Sequence, residues 1–164
     1  MKKSKSIAFM GLCIALALIL AYVEVLLPPL FPAVPGIKMG LPNVIIIFLL
    51  YRRGPFAAAV VSLIRIFLAA LLFSNGLTML YSLAGGALSL AVMILLRRLN
   101  ALSTVGVSVA GAVSHNIGQI LMAMLLLGTA QLGYYLVVLI ITGTLAGVLI
   151  GACGSMLIRR FNKL

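Results

Sequence analysis

Acidic residues are almost missing from this chain of 164 residues: Glu24 is the only Asp or Glu, against 12 Lys and Arg. Charged residues of either sign amount to 8%, where soluble domains carry about a quarter. With a mean hydropathy of +1.34, this composition excludes a soluble globular fold. One carboxylate also excludes metal-dependent diphosphate chemistry of the usual kind, which needs several carboxylates around magnesium. No glycine-rich loop followed by Lys and Ser or Thr is present, so any ATP energy must come from another chain. The two cysteines, Cys13 and Cys153, lie in apolar stretches without metal-ligand spacing, and both are expected as buried free thiols. No catalytic residue, metal site or cofactor is expected.

What is present is a series of apolar runs punctuated by short basic clusters. A net charge of +11 would point to nucleic acid in a soluble protein, but a nucleic-acid partner is not expected here. The basic residues sit between apolar runs instead of forming a stripe with interleaved aromatics. The runs predict helices at about 7–27, 41–51, 56–73, 77–96, 102–127 and 132–158, in a single membrane domain covering 1–164. Roughly 20 apolar residues cross about 30 Å of hydrocarbon, which makes the first run a span and not a cleaved leader. The second run is short and must cross with help from the preceding segment or at a thinned place. Pro28, Pro29, Pro32, Pro35 and Gly36 forbid helix in between and predict an outer, lid-like loop over 28–40.

Six spans place both termini on one side. The N-terminal lysines, Arg52 with Arg53, Arg97 with Arg98, and the cluster at Arg159, Arg160 and Lys163 then all fall on that side, leaving Lys38 alone outside. Cytoplasmic loops concentrate Lys and Arg, so the termini are expected to be cytoplasmic. The fold class is an all-α integral membrane protein, a multi-pass bundle of six helices.

Arg65 breaks the apolar pattern of the third run near its middle. A cation at that depth costs roughly 2.5–3.5 kcal/mol on insertion scales, so it normally faces the bundle interior and marks a pathway or ligand site. On the fifth run His115 and Gln119 stand four apart on one face, with Asn116 beside them. Their depth is similar to that of Arg65, and Ser62 lies about one turn before it. One shared pocket is expected, with Asn43 and Glu24 at its mouth and Tyr81 as a further donor. Glu24 has a second reading, as an ion-pair partner of Arg65 or Lys38. Thr78, Ser82, Gly85 and Ser89 form a small polar stripe on the fourth run that reads as packing.

Gly143, Gly147, Gly151 and Ser155 recur every four residues on the sixth run, a pattern that lets another helix approach closely. Gly11 with Ala15, and Ala17 with Ala21, repeat it more weakly on the first. Both stripes are candidates for docking onto a second membrane subunit, against the plainer reading of packing within this bundle.

At the segments GLPNVIIIFLLYRRGPFAAAVVSLIRI, SLAGGALSLAVMILLRR and VGVSVAGAVSHNIGQILMA the chain resembles a family of small bacterial membrane proteins. These are labelled Gx transporter or heptaprenyl diphosphate synthase component I, and are similar to the substrate-binding S components of energy-coupling factor (ECF) transporters. The resemblance runs from Gly40 to Ala123. It implies a six-helix bundle in a bacterial cell membrane that binds a small molecule beneath the first outer loop. It further implies a partnership with a transmembrane coupling subunit and two ATPase subunits, the faces of the first and sixth helices serving as the docking surface. The leading expectation is a noncatalytic, substrate-binding subunit of an ATP-driven ECF-type importer that captures a small anionic or amphipathic nutrient, such as an isoprenoid or quinone precursor. The alternatives are a noncatalytic membrane partner of a prenyl diphosphate synthase and an autonomous secondary transporter.

Overall fold

The structure, a computed structural model, describes residues 3–27, 38–100 and 102–161. The expected lid therefore lies outside the described residues, except for 38–40. Among those described there are six α-helices and one short 3₁₀ helix: α1 (Lys3–Leu26), α2 (Asn43–Arg53), α3 (Pro55–Phe73), α4 (Gly76–Leu99), α5 (Thr104–Leu127), the 3₁₀ turn Ala130–Tyr135, and α6 (Leu136–Phe161). Local signals set the boundaries. Pro55 opens α3 at its first turn, where a missing N–H is harmless. Asn75 and Ser103 cap α4 and α5 by accepting from Thr78 N and Gly106 N. Gly128 closes α5 in the left-handed conformation, φ 63°.

Five of these segments are long and apolar enough to cross a membrane: Ser4–Leu26, Pro55–Phe73, Gly76–Leu99, Thr104–Leu127 and Ala130–Phe161. The sixth expected span is different. Helix α2 has 11 residues, about 16 Å of length, and therefore covers only half of a bilayer. It is enclosed by protein on all sides, with Ile45 through Leu50 all buried. Irregular backbone at Lys38–Pro42 leads into it at mid-depth, an arrangement tolerated only where protein or water, not lipid, surrounds the exposed peptide groups.

Helix α5 packs most extensively, against α4 and α6; α3 meets α4, and α2 bridges α3 and α6, so that α1 lies outside against α3 and α2. The basic residues come together at one end of the bundle. Arg52 Nη2 donates to the Phe161 carbonyl (2.8 Å), Arg97 Nη1 donates to the Leu50 carbonyl, and the Arg53 guanidinium lies 5.1 Å from the Phe9 ring centroid. Arg52 and Arg97 thereby cap the carbonyl ends of α6 and α2 with cations, the favourable sign for a helix C-terminus.

Along the bundle axis the interior has three layers. Next to the basic end, Ile45–Leu50 of α2 pack with Cys13, Ala17, Ala58, Val61, Met93 and Val107. At the far end Tyr81, Ile120, Ala123, Leu132 and Leu139 form a second apolar cluster. Between them lies a polar layer.

The glycine stripe on α6 turns inward. A Cβ at Gly147 would stand 2.6 Å from Val109 Cα, and one at Gly151 2.8 Å from Val105 Cα, so these glycines let α5 and α6 approach backbone to backbone. Gly143 packs against Asn116 in the same seam. On α1, Gly11 and Ala15 are exposed while Ala17 and Ala21 are buried, so only the first pair faces outward. Cys13 is buried as expected; Cys153 is exposed on the outer face of α6, because the glycine stripe takes the opposite side of that helix.

Candidate functional site

The polar layer is assembled from five helices. Counting about 1.5 Å per residue from the basic end, Asn43 on α2 and Arg65 on α3 both lie roughly 15 Å deep, His115 on α5 only slightly deeper, and Gln119 one turn beyond. The first three meet at the start of α2. Gly40 adopts φ +86°, a conformation that side chains rarely take, and a Cβ there would stand 2.7 Å from Asn43 Nδ2 and 3.8 Å from His115 Cδ2. This glycine turn brings the chain close enough for Arg65 Nη2 to donate to Asn43 Oδ1 at 3.5 Å.

Glu24, on α1, joins them through the backbone. Its Oε1 accepts from the N–H groups of Gly40 and Leu41, the latter at 2.9 Å, so the carboxylate sits at the N-terminal approach to α2. A carboxylate is favourable there because free N–H groups and the helix dipole both present positive charge. Asn43 N, Val44 N and Ile45 N bond back to the carbonyls of Gly40, Leu41 and Pro42, which satisfies the first turn. Glu24, two residues from the end of α1, thus holds backbone N–H groups and is not simply an ion-pair partner. It ties α1 to the mid-membrane turn, within range of the charges of Arg65 and Lys38. Asn43 also lies at mid-depth and not at the outer end, because α2 is too short to reach it.

His115 and Gln119 face α4 at Gly85, whose missing side chain makes room: a Cβ there would stand 3.2 Å from His115 Cε1 and 2.8 Å from Gln119 Cγ. Asn116 points elsewhere. Its Nδ2 donates to the Leu139 carbonyl at 2.8 Å across the seam with α6. Ser62 is buried near Gly86 on α4. Tyr81 falls outside the polar layer, inside the outer apolar cluster. Two side chains read as packing line a narrow cleft with Arg65: Thr78 and Ser82 share it with Lys38, Ala21 and Ala69, and the space left has room for little more than one water. Lys38 has a sequence signal, being the lone basic residue between the basic clusters besides Arg65; the N–H groups of Gly40 and Leu41 have none.

The layer is incompletely bonded. Among the described residues, Glu24 Oε2, Asn43 Nδ2, Arg65 Nε, Ser89 Oγ, His115 Nδ1, Asn116 Oδ1 and both amide ends of Gln119 are buried with no hydrogen-bond partner. The layer thus gathers buried donors and acceptors from each of α1 to α5. No group of three or more His, Cys, Asp or Glu able to hold a metal occurs among the described residues.

No curated protein and no solved structure matches the chain. The heptaprenyl diphosphate synthase component I profile, by contrast, matches residues 13–157, a range that contains α2 to α5 whole, α1 from Cys13 onward and all but the last residues of α6. A match of that extent makes this chain a member of the heptaprenyl diphosphate synthase component I family.

Proposed function

We propose that the chain is a noncatalytic, substrate-capturing membrane subunit that binds a small anionic or amphipathic molecule at the polar layer. One observation carries this reading. Arg65 is 5% exposed, yet among the described residues its one hydrogen bond is the long one to Asn43, and its Nε has no partner there. A guanidinium has five N–H donors, and one that served structure alone would have them filled. A carboxylate or phosphate is the natural complement.

The ATP-driven form of this reading follows the likeness to S components of ECF transporters, with a transmembrane coupling subunit and two ATPases as partners in a bacterial cell membrane. The outward Gly11 and Ala15 face of α1 is the candidate contact, since the α6 stripe is occupied by α5. A second reading, a noncatalytic membrane partner of a prenyl diphosphate synthase, draws on the family's description. A single carboxylate leaves synthesis itself to another chain.

Native mass spectrometry of the chain extracted in mild detergent tests the binding role. The expected result is a small retained molecule, absent from Arg65→Ala, with the variant eluting as a folded species in normal yield. Absence of any retained molecule, or collapse of Arg65→Ala, overturns it. Copurification from the native membrane separates the two partnerships: ATPase subunits support the first, a soluble synthase the second.

A further inference from the structure

The charges of the membrane interior are few enough to count. From Ile7 to Ile158 the only charged residues other than the pairs Arg52–Arg53 and Arg97–Arg98 are Glu24, Lys38 and Arg65. All three meet at the polar layer. Lys38 and Arg65 line the same cleft, and each interacts electrostatically with Glu24. Two cations therefore face one anion, and the anion is committed: Glu24 Oε1 already accepts two backbone N–H bonds. The N-terminal approach to α2 adds further positive potential. Charge in this environment is costly unless balanced, and the chain supplies nothing more to balance it.

Resting on the binding reading above, we infer that this site, its cleft widening beyond the one-water space it shows here, takes a ligand with one net negative charge, held at Arg65 and Lys38, in preference to a neutral molecule or a dianion. The hydrogen-bonding groups agree in kind. Arg65 Nε and Asn43 Nδ2 are buried donors without acceptors among the described residues, and Ser82 lines the cleft beside Arg65, whereas the Thr78 hydroxyl there already donates to Asn75 Oδ1 at 3.0 Å. A carboxylate or a phosphodiester is acceptor-only and carries one charge. A dianion would add a second charge that only repulsion from Glu24 would meet.

The test uses the detergent-solubilised full chain and three probes of one carbon skeleton length, hexanoate, hexanamide and adipate, with dimethyl phosphate as the phosphodiester arm. The readout is the thermal unfolding midpoint against probe concentration at fixed ionic strength. Hexanoate or dimethyl phosphate is expected to stabilise saturably, whichever anion type fits, with hexanamide and adipate weaker by about tenfold, the loss of one charge-assisted contact. Lys38→Gln, which leaves the helices untouched, should weaken the monoanion by about tenfold. Glu24→Gln should keep it bound and bring adipate into the same range. Equal stabilisation by hexanamide, tighter adipate binding in the unaltered chain, an unaffected Lys38→Gln, or no saturable effect from any probe overturns the inference. A neutral or dianionic molecule retained in native mass spectrometry overturns it while leaving the binding reading intact; no retained molecule overturns that reading itself.

Discussion

Glu24 offers the most direct test of the geometry, because the two substitutions there separate its charge from its capacity to accept. Glu24→Ala removes the acceptor for Gly40 N and Leu41 N, one bond buried and the other partly so. At roughly 1–3 kcal/mol for each donor left unmatched, and less for the partly buried one, the cost is about 2–4 kcal/mol. Glu24→Gln keeps a carbonyl oxygen in the same place and loses only the charge assistance, about 1 kcal/mol. For a chain of this length each kcal/mol moves the unfolding midpoint by about 2–4 °C. The alanine variant should therefore unfold on the order of 10 °C lower and the glutamine variant about 3 °C lower, followed by thermal denaturation in detergent. Equal losses would show that charge pairing with Arg65 or Lys38 matters and acceptance does not. An alanine variant as stable as the parent would remove the tie between α1 and the turn altogether.

Two further expectations concern packing and orientation. Gly147→Leu should lower the stability of the isolated chain by roughly 1–3 kcal/mol or more, because a Cβ 2.6 Å from Val109 Cα forces α5 and α6 apart. Gly11→Leu, with nothing within 4 Å of its Cβ, should change stability by about 0.5 kcal/mol or less; equal effects would refute the inward orientation of the α6 stripe. Single cysteines in a chain lacking Cys13 and Cys153 test orientation: an impermeant thiol reagent on intact cells should modify position 75 and not position 98. The opposite pattern would invert the bundle.

The long helices were legible because hydrophobic runs bounded by Arg, Gly and Pro leave little freedom in where a span starts and stops. Expected 56–73 and observed Pro55–Phe73 differ by one residue. Residues 132–135 were counted with the last helix but form a 3₁₀ turn with Ala130 and Gln131, since Gly128 and Gly133 lower helix propensity there without a proline to announce it. Which face of a helix turns inward was harder. On α6 the glycines, not the larger apolar side chains, define the seam with α5, so spacing identified a close approach but not its partner. Arg65 and Asn43 meet as their helical positions suggested and His115 lies beside Gly40, while Gln119 packs one turn beyond against Gly85 and Asn116 bonds across to α6, since depth on a helix does not say which way a side chain turns. Tyr81 escaped that logic: its ring is mostly apolar, and it joins Ile120 and Leu139. Backbone donors such as Gly40 N carry no side-chain signal at all.

The inner apolar layer sets the electrical character of the molecule. Ile46, Ile47, Leu49, Leu50, Val61 and Val107 are each at most 1% exposed, and together they close the bundle between the polar layer and the basic end. A hydrated ion cannot pass such a plug without shedding its water against hydrocarbon, at a cost of many times the thermal energy. A molecule bound at Arg65, as proposed, would therefore be sealed from the basic face by a dry gasket whose centre is the short helix α2. Delivery across that face requires the gasket itself to be displaced, and a change in α2 would open the plug and disturb the Asn43 end of the site in the same motion.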